Sequence, residues 1–491
     1  MRLSYLPPLM VYAAYGVSGL TSIVGTLYVK EYLVEASPAF LASVLFWAGI
    51  PWALKMPVGH VVDLIWRWKA VLVWLGAAMI AASLLIMIGI VSRPETMRAL
   101  MTLTQWFTLS SLLAPTGYMI QDSVADAMTV EAVPRQDANG KPYDEQTLKS
   151  MHTTMQTLGR VALIGGLALV SAANIYLLHG SEDLSREAKA ALYANVYTAA
   201  LIIPVISVLG VVLHHFLKHE RPKFEKTAPN WAVLGGSLVF VAITLAVGIG
   251  GVPYAEEIIF AGSLAVILFL LWRLARELAP AARNTLVATA IVLFLYRAVP
   301  LTGDGATWWM LDVLKFDGAF LAQLALLTYV LTIVGMFALR GFMARNSIAT
   351  IIVALSVAAA LLSLPGIGMF YGLHEWTAAH TGGVVDARVI MLFNTALESP
   401  LGQIAMIPML AWIANSAPAK LKATYFAVMA SFSNLALAAS QLGAVYLNRV
   451  FVIKRGDYSE LGELLITAAV LTLLMPLVAV IGVRLLKLRT A

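Results

Sequence analysis

Residues 101–131 read MTLTQWFTLSSLLAPTGYMIQDSVADAMTVE, and this stretch determines how the rest of the chain must fold. Its apolar part is long enough to cross a bilayer as a helix. The run then continues into Asp122 and Asp126, which share one face of a helix because they are four residues apart. A carboxylate near hydrocarbon is costly unless it faces a cavity, pairs with a cation or binds a proton. The chain must therefore supply partners for these two acids.

The composition is that of a membrane protein. Of the 491 residues, 60% are hydrophobic and 12% are charged, whereas soluble domains carry about 25% charged residues. Repeated apolar runs must satisfy their own backbone as helices, and the alternation typical of barrel strands is absent. The lack of cysteine excludes disulfides and thiolate metal sites. We predict an all-α polytopic membrane protein whose net charge of +6 requires no nucleic acid partner.

About fourteen apolar runs have the length of a membrane span. Six precede the basic polar segment 214–230, two follow it closely and six complete the chain. The runs cover residues 8–29, 40–62, 70–91, 101–122, 151–178, 190–217, 231–251, 258–274, 285–299, 320–339, 348–364, 389–413, 423–445 and 464–485. This order predicts two six-helix halves, residues 1–217 and 284–491, joined by a basic linker with an inserted two-helix hairpin, residues 218–283.

Lysine and arginine are distributed unevenly over the predicted loops. With both termini in the cytoplasm, 20 of the 33 basic residues lie in inside loops, 10 lie in outside loops and 3 lie within spans. An excess of positive charge is typical of cytoplasmic loops. We therefore predict a multi-pass protein of a cell membrane, namely a bacterial inner membrane, with both termini in the cytoplasm.

The second apolar run contains a lysine, and two alternatives stand for it. Pro51 and Pro57 predict a kink or a local unwinding of the helix. Lys55 lies between them, at a depth similar to that of Asp122. A pair of Lys55 with Asp122 offsets much of the cost of burying each charge. Alternatively, Lys55 extends to the cytoplasmic interface and pairs with nothing.

Other charged residues also lie within predicted spans. Arg160 stays charged at any working pH, so it needs an acid, a water-filled cavity or an anionic substrate, and we favour a functional role over an ion pair with Asp122 or Asp126. Arg297 is either interfacial or part of a binding site, and Glu398 falls near the middle of its span. The candidate substrate and proton-coupling residues are Lys55, Asp122, Asp126, Arg160, Arg297 and Glu398.

Sequence signals of enzymes are missing from the chain. There is no Gly-x-Ser-x-Gly, no His-Glu-x-x-His and no Walker loop. His214, His215 and His219 lie in the basic linker, where histidines are more often solvated than bound to metal. We predict no enzyme activity, no cofactor, no metal site and no direct use of ATP within this chain.

The end of the second run carries a recognisable pattern. Gly59-x-x-x-Asp63, followed by Arg67 and Lys69, resembles the loop-two signature of the major facilitator superfamily, although Leu64 replaces the expected arginine. In that signature the aspartate caps or pairs a neighbouring helix end when the cytoplasmic side is shut. The resemblance implies a cytoplasmic gate formed by Gly59, Asp63, Arg67 and Lys69, with Asp126 or Glu131 as partner.

More broadly, the chain resembles the folate–biopterin transporter family, a branch of the same superfamily. The resemblance rests on Pro51-Trp52-x-x-Lys55-x-x-x-Gly59-x-x-x-Asp63, on Asp122-x-x-x-Asp126 and on a run of motifs between residues 402 and 434. The segment around Asp122 also resembles the muropeptide-permease and acetyl-CoA-transporter group. Members of the folate–biopterin family carry folates, pterins or S-adenosylmethionine.

The resemblance implies the major facilitator fold and a secondary active transporter that works by alternating access. The expected solute is folate-like or pterin-like, and the expected coupling is to protons. One alternative is a carrier of another organic anion, such as a muropeptide or a nucleoside-derived metabolite, and a further one is a non-transport membrane protein. The expected partners are a small-molecule substrate, protons and the lipid bilayer, and we expect a monomer.

Overall fold

The structure is a computed structural model that describes residues 3–53, 55–65, 68–134, 136, 141–217, 231–250, 252–276, 278–401 and 422–490. The backbone of these residues is almost entirely helical. Their β-type pairing is limited to isolated bridges between Gln136 and Pro142 and between Lys454 and Asp457. Helices satisfy backbone N–H and C=O groups within each segment, as a bilayer requires. The all-α prediction is confirmed for this part of the chain.

The first half of the chain is a succession of helices of very different lengths. They are α1 (Leu6–Val17), α2 (Ser22–Tyr32), α3 (Pro38–Ala53), α4 (Lys55–Leu64), α5 (Lys69–Ser92), α6 (Pro94–Arg98), α7 (Leu103–Ala132), α8 (Glu145–Leu177), α9 (Arg186–Ala200) and α10 (Ile202–Phe216). The 3-10 turn Ser18–Thr21 connects α1 to α2, so the first predicted run is nearly continuous.

The remainder of the chain contains the inserted hairpin and the last helices. They are α11 (Trp231–Ile249), α12 (Ala255–Arg276), α13 (Pro280–Arg297), α14 (Asp304–Asp312), α15 (Gly318–Ala338), α16 (Arg340–Arg345), α17 (Ile348–Phe370), α18 (Leu373–His380), α19 (Ala387–Glu398), α20 (Lys422–Val450) and α21 (Leu461–Leu485). Every predicted apolar run overlaps at least one helix. Within the described ranges, 9 helical segments are long and apolar enough to cross a membrane, and the larger number of spans expected from the sequence stays a prediction.

Helix α7 is longer than the apolar run that predicted it. It begins at a capping box, in which the Thr102 side chain accepts a hydrogen bond from the Gln105 backbone while the Gln105 side chain accepts one from the Thr102 backbone. The helix passes through Pro115 and continues beyond Asp122 to Ala132. Consequently the aspartates and the following Glu131 lie on one uninterrupted helix.

The chain forms two compact units. The first consists of Met1–Leu33 and Leu54–Val241, and the second consists of Val34–Ala53 and Ala242–Ala491. Helix α3 therefore belongs to the second unit, whereas α4, the next helix along the chain, belongs to the first. The kink or local unwinding that Pro51 and Pro57 predict stays a prediction, and residue 54, between the two helices, lies outside the described residues. The predicted division into two halves and a linker with a hairpin stays a prediction.

Paired glycines determine the closest helix contacts of the first unit. A Cβ atom added to Gly76 of α5 would lie 2.6 Å from the carbonyl oxygen of Gly117 in α7, and the reverse distance is also 2.6 Å. Between α1 and α8, a Cβ atom added to Gly166 would lie 3.0 Å from the Cα atom of Gly16. Small residues allow this close approach, as is common between membrane helices. Gly166 of α8 takes part in such a contact, whereas a Cβ atom added to its neighbour Gly165 would meet open space.

In the second unit, α3 packs along α20 and α12 contacts both of these helices. Small residues lie at the contact, since Ala42, Ala444 and Val445 form one buried cluster. Helices α13 and α17 pack against α21. The second unit therefore includes a helix, α3, that the sequence alone assigned to the N-terminal half.

Candidate substrate and proton site

Lys55 lies at the start of α4 and contacts both aspartates of α7. Its Nζ atom lies 2.5 Å from Oδ2 of Asp122 and 2.7 Å from Oδ2 of Asp126. The four-residue spacing of the acids places them one turn apart on the same face, which allows one ammonium group to reach both. Of the two alternatives for Lys55, the structure has the ion pair, with a second acid added.

The two aspartates differ in their exposure and in their donors. The exposed fraction of the side chain is 15% for Asp122, 25% for Lys55 and 44% for Asp126. Asp126 also accepts a hydrogen bond of 2.6 Å from the Tyr12 hydroxyl of α1. Among the described residues, Lys55 is the one hydrogen-bond donor to Asp122. Asp122 is thus the enclosed acid that depends on Lys55, and Asp126 is the accessible acid with two donors.

A glutamine next to Asp122 sets the rotation of α7. The Gln121 side chain is 2% exposed, and its Nε2 atom donates to the Val73 carbonyl of α5 at 3.0 Å and to the Ser207 hydroxyl of α10 at 2.9 Å. Successive residues of a helix are turned by about 100°, since 3.6 residues make one turn. Because Gln121 is held against α5 and α10, Asp122 is turned toward Lys55. Gln121 therefore connects helices, while Asp122 faces the cation.

Arg160 of α8 is the second cation of this region. Its side chain is exposed, and it lies near enough to Asp122 and Tyr12 for an electrostatic interaction. No carboxylate of the described residues lies within 4.0 Å of its guanidinium nitrogens. A guanidinium presents a rigid fork of donors that matches a carboxylate. The geometry therefore leaves Arg160 able to accept an anionic group from outside the protein.

Three tyrosines border the charged groups, and sequence reasoning missed all of them. Tyr12 donates to Asp126, and the rings of Tyr15 and Tyr118 lie 5.1 Å apart between centroids with an interplanar angle of 35°. Tyr118 is buried, whereas Tyr15 is half-buried. A signal was present, because Tyr118 precedes Asp122 by four residues and so belongs to the acidic face of α7.

A second lysine–carboxylate contact lies at the far end of α7. The Nζ atom of Lys69 lies 2.8 Å from Oε1 of Glu131, and Nε2 of His214 lies 3.4 Å from Oε2. Glu131 lies beyond the predicted span. Burial raises the pKa of its carboxyl, but hydrogen bonds from His214 and Lys69 outweigh this effect, so the pKa is lowered overall. The predicted partners of the gate were Asp126 and Glu131. In this structure the gate residue Lys69 contacts Glu131.

The other predicted gate residues are only partly described. Gly59 lies in α4, and a Cβ atom added to it would meet open space. The side chain of Asp63 and the whole of Arg67 lie outside the described residues. The cytoplasmic gate therefore stays a prediction.

The two remaining candidates belong to the second unit. Nε of Arg297 donates to the Ser433 carbonyl of α20 at 3.3 Å, which connects α13 to α20. Glu398 is exposed at the end of α19, and no cation of the described residues lies within 4.0 Å of its carboxylate. Asn434 donates to the Trp52 carbonyl at the end of α3, at 3.0 Å. Arg297 and Asn434 thus connect helices, and Glu398 is the exposed acid of this set.

A sequence profile of the BT1 family matches residues 182–487. The chain belongs to the BT1 family, the family of folate–biopterin transporters. A curated relative in the same family, the folate-biopterin transporter of Synechocystis sp., is 22% identical over 470 residues, which cover 95% of this chain and 79% of the relative. The family resemblance stated from the sequence is confirmed, although the part of its motifs between residues 402 and 421 lies outside the described residues.

Solved structures of transporters share the fold of this BT1 family member. A POT family transporter in complex with a thioalcohol-conjugated peptide superposes with a TM-score of 0.64 at 11% identity, covering 99% of this chain and 96% of the other. A variant of the nucleoside transporter NupG superposes with a TM-score of 0.59 at 12% identity, covering 98% of this chain and 100% of the other. At such identities the likeness shows the fold alone.

Together these findings confirm the major facilitator fold and a multi-pass membrane protein. The protein is a membrane transporter, since it belongs to a family of transporters.

Proposed function

We propose that this protein is a secondary active transporter that moves a small organic anion of folate or pterin type by alternating access, with coupling to protons. The observation that carries the proposal is the shared lysine: Lys55 contacts Asp122 and Asp126, while Arg160 nearby has no described carboxylate at ion-pair distance. The absence of a Walker loop from the sequence favours a secondary transporter.

Proton coupling follows from the count of charges. At ion-pair distance one ammonium group faces two carboxylates, so a proton on either acid balances this contact, and the charge of Arg160 is left for an anionic group. A proton on Asp122 would leave Lys55 to Asp126 and weaken the contact between α4 and α7. We assign the coupling proton to Asp122, because it is the enclosed acid and depends on Lys55 alone among the described donors, and Asp126 is the second choice.

The substrate class follows from the groups that have no use within the cluster. Arg160 supplies a permanent positive charge, which suits a carboxylate such as that of a folate. The half-buried ring of Tyr15, which packs against buried Tyr118, lies near enough to Arg160 for an electrostatic interaction, and aromatic rings pack favourably against flat ring systems. Glu398, exposed and without a described cation, is assigned to a ring nitrogen or an amine of the substrate. The family name of the Synechocystis relative supports the same choice.

The remaining parts of the assignment are also proposals. Gly59, Asp63, Arg67 and Lys69 form the cytoplasmic gate, and Arg297 takes part in substrate binding as well as in the α13–α20 contact. The protein works as a monomer in a bacterial inner membrane with both termini in the cytoplasm. Reporter fusions after residue 487 are expected to give a cytoplasmic signal, and an external signal there would overturn the topology.

The Asp122→Asn variant tests the coupling. In proteoliposomes it is expected to lose substrate accumulation driven by a pH gradient, because position 122 no longer releases a proton. Substrate counterflow is expected to persist, since exchange needs no net proton movement. Asp183→Asn, at an exposed position in the loop before α9, is the matched control and should behave as the parent protein does. Accumulation that persists in Asp122→Asn would exclude Asp122 as the coupling site.

A thermal-shift screen with folates, pterins, nucleoside derivatives and muropeptides identifies the substrate class. A ligand that binds only the folded state stabilises it by mass action. We expect stabilisation by a folate or a pterin, and we expect it to be lost in Arg160→Ala. Stabilisation by a muropeptide or a nucleoside derivative alone would transfer the assignment to the second candidate, a carrier of another organic anion.

A further inference from the structure

The inserted hairpin has no role in the function proposed above, and its two helices differ in how they are packed. Helix α11 has large exposed apolar side chains, among them Leu238, Val239 and Leu245. Helix α12 instead has one buried stripe. The buried positions recur every four residues: Ile259, Ser263, Ile267, Leu271 and Ala275. The hairpin is thus anchored through one face of α12, which packs against α20 and α3.

Two glutamates lie in the first turn of α12, at one end of this contact. The carboxylate of Glu256 accepts a hydrogen bond from the Ser43 hydroxyl of α3, and it lies 3.7 Å from a guanidinium nitrogen of Arg449 in α20. Its neighbour Glu257 accepts a hydrogen bond from the Tyr446 hydroxyl of α20. One turn of α12 therefore bonds to both of the helices against which it packs. We call these five residues, Ser43, Glu256, Glu257, Tyr446 and Arg449, the clamp.

The helices joined by the clamp also pack tightly on each other. The exposed fractions of Ala42 in α3 and of Ala444 and Val445 in α20 are 3%, 1% and 0%. The next aromatic residue of α3, Phe46, is also fully buried. On the predicted topology this contact lies toward the outer side of the membrane. Helix α3 is followed directly by α4, which carries Lys55 of the candidate site.

We propose that the α3–α20 contact is the outer gate of the transporter and that the inserted hairpin keeps it closed through the clamp, in which Glu256 and Glu257 of α12 hold α3 against α20. The proposal rests on the alternating access proposed above. A hairpin that served only as a lipid-facing spacer would need no acid directed at both helices. Separation of α3 from α20 requires that the clamp bonds break, so the hairpin favours the state in which this contact is closed.

The chain contains no cysteine, which allows a single cysteine to report the contact. The reporter is Ala42→Cys, at a position that is 3% exposed, labelled by a hydrophilic maleimide in purified protein held in nanodiscs. Addition of Glu256→Gln with Glu257→Gln is expected to raise the labelling rate about ten-fold, since the hydrogen bonds from the two hydroxyls lose a charged acceptor and the contact of Glu256 with Arg449 loses its negative charge. A labelling rate within about two-fold of the parent rate would overturn the proposal, because the opening equilibrium of the α3–α20 contact would then be nearly unchanged.

Two matched controls separate gate opening from general loosening. Glu463→Gln removes an exposed acid at the start of α21 and should leave the rate unchanged. A second reporter, Ala322→Cys, lies in α15 at a position that is 0% exposed, away from the α3–α20 contact. Its labelling rate should not respond to the clamp substitutions. An equal rise at both reporters would show general loosening and would overturn the proposal.

A milder pair of substitutions covers the case in which the glutamine variant does not fold. Ser43→Ala with Tyr446→Phe removes only the two hydroxyl donors, and the same outcomes apply to it. Labelling needs no substrate, so its result is independent of transport. A clamp-dependent rate in a protein that carries no solute would support the clamp and contradict the proposed function. Normal transport with a labelling rate that does not respond to the substitutions would support the proposed function and contradict the clamp.

Discussion

Two lysines contact carboxylates of α7, and the two contacts differ in their balance of charge. Lys55 is shared between Asp122 and Asp126, so acids outnumber the cation. At the other end of the helix, Lys69 and His214 approach the single acid Glu131. The side chains of Lys69 and Glu131 are 10% and 11% exposed, whereas Asp126 is 44% exposed.

On the proposed function, this comparison separates the contact that gains and loses a proton during transport from the contact that only holds helices together. A balanced and enclosed pair loses interaction energy when it gains a proton, so it serves to hold helices. An unbalanced cluster that is open on one side can gain a proton and become balanced. Residue type alone does not distinguish the two, since each is a lysine with carboxylates on one helix. The number of acids per cation and the access to solvent distinguish them.

Removal of the shared lysine should give the largest effect. Lys55→Ala leaves two carboxylates together without a cation, and we expect a loss of about 3 kcal/mol in the free energy of unfolding, at the low end for a broken buried pair because Asp126 is partly exposed. Transport should be lost as well. The measurement is thermal or denaturant unfolding in detergent together with uptake.

The double variant Lys55→Ala with Asp126→Asn provides the control for this prediction. It removes one of the two stranded acids and should recover part of the stability. If Lys55→Ala were as stable as the parent protein, the shared contact would not exist in the membrane.

Removal of the Arg160 guanidinium should affect binding rather than stability. Arg160→Ala is expected to raise KM for an anionic substrate about ten-fold or more, because a charge-assisted contact is lost while no described ion pair is broken. Arg160→Lys should fall between, since lysine keeps the charge and loses the fork of donors. The exposed Arg93 of the loop after α5 offers a control as Arg93→Ala. An unchanged KM combined with a lower melting temperature would make Arg160 structural.

Removal of Lys69 should lower the free energy of unfolding by less than removal of Lys55. Lys69→Ala leaves Glu131 with His214 as a remaining partner, and we expect a loss of about 1 kcal/mol in the free energy of unfolding. Accumulation driven by a pH gradient should remain coupled, in contrast to that of Asp122→Asn. A loss of coupling in Lys69→Ala would remove the distinction between the two contacts.

The smallest effect is the pH dependence of the Glu131 contact. The pKa of Glu131 is lowered in the folded protein, so its contribution to stability is present above the unfolded value of 4.5 and is lost as the pH falls through the folded value. The difference in melting temperature between the parent and Glu131→Gln should therefore persist from neutral pH to about 4.5 and shrink below it. A difference that already vanishes near neutral pH would contradict the lowered pKa.

The sequence by itself determined the class, the helices and the list of charged candidates. Apolar runs predict membrane helices because the backbone must satisfy its own hydrogen bonds in lipid, and this requirement is local. The common face of Asp122 and Asp126 is equally local, since it follows from four-residue spacing on a helix. For the same reason, helical spacing in the sequence is enough to predict that the buried residues of α12 share one face and that Tyr118 shares a face with Asp122.

The tertiary structure alone decided the partners of these residues. Lys55 was left between two alternatives, and its reach to both acids depends on how α4 meets α7. That rotation is set by contacts distant in sequence, such as Gln121 with Val73 and Ser207. The grouping of α3 with α20 and α12 has the same origin, because small residues at Ala42 and Ala444 permit a contact that chain order does not reveal. Helical periodicity determines which side chains share a face, but only packing determines what that face meets.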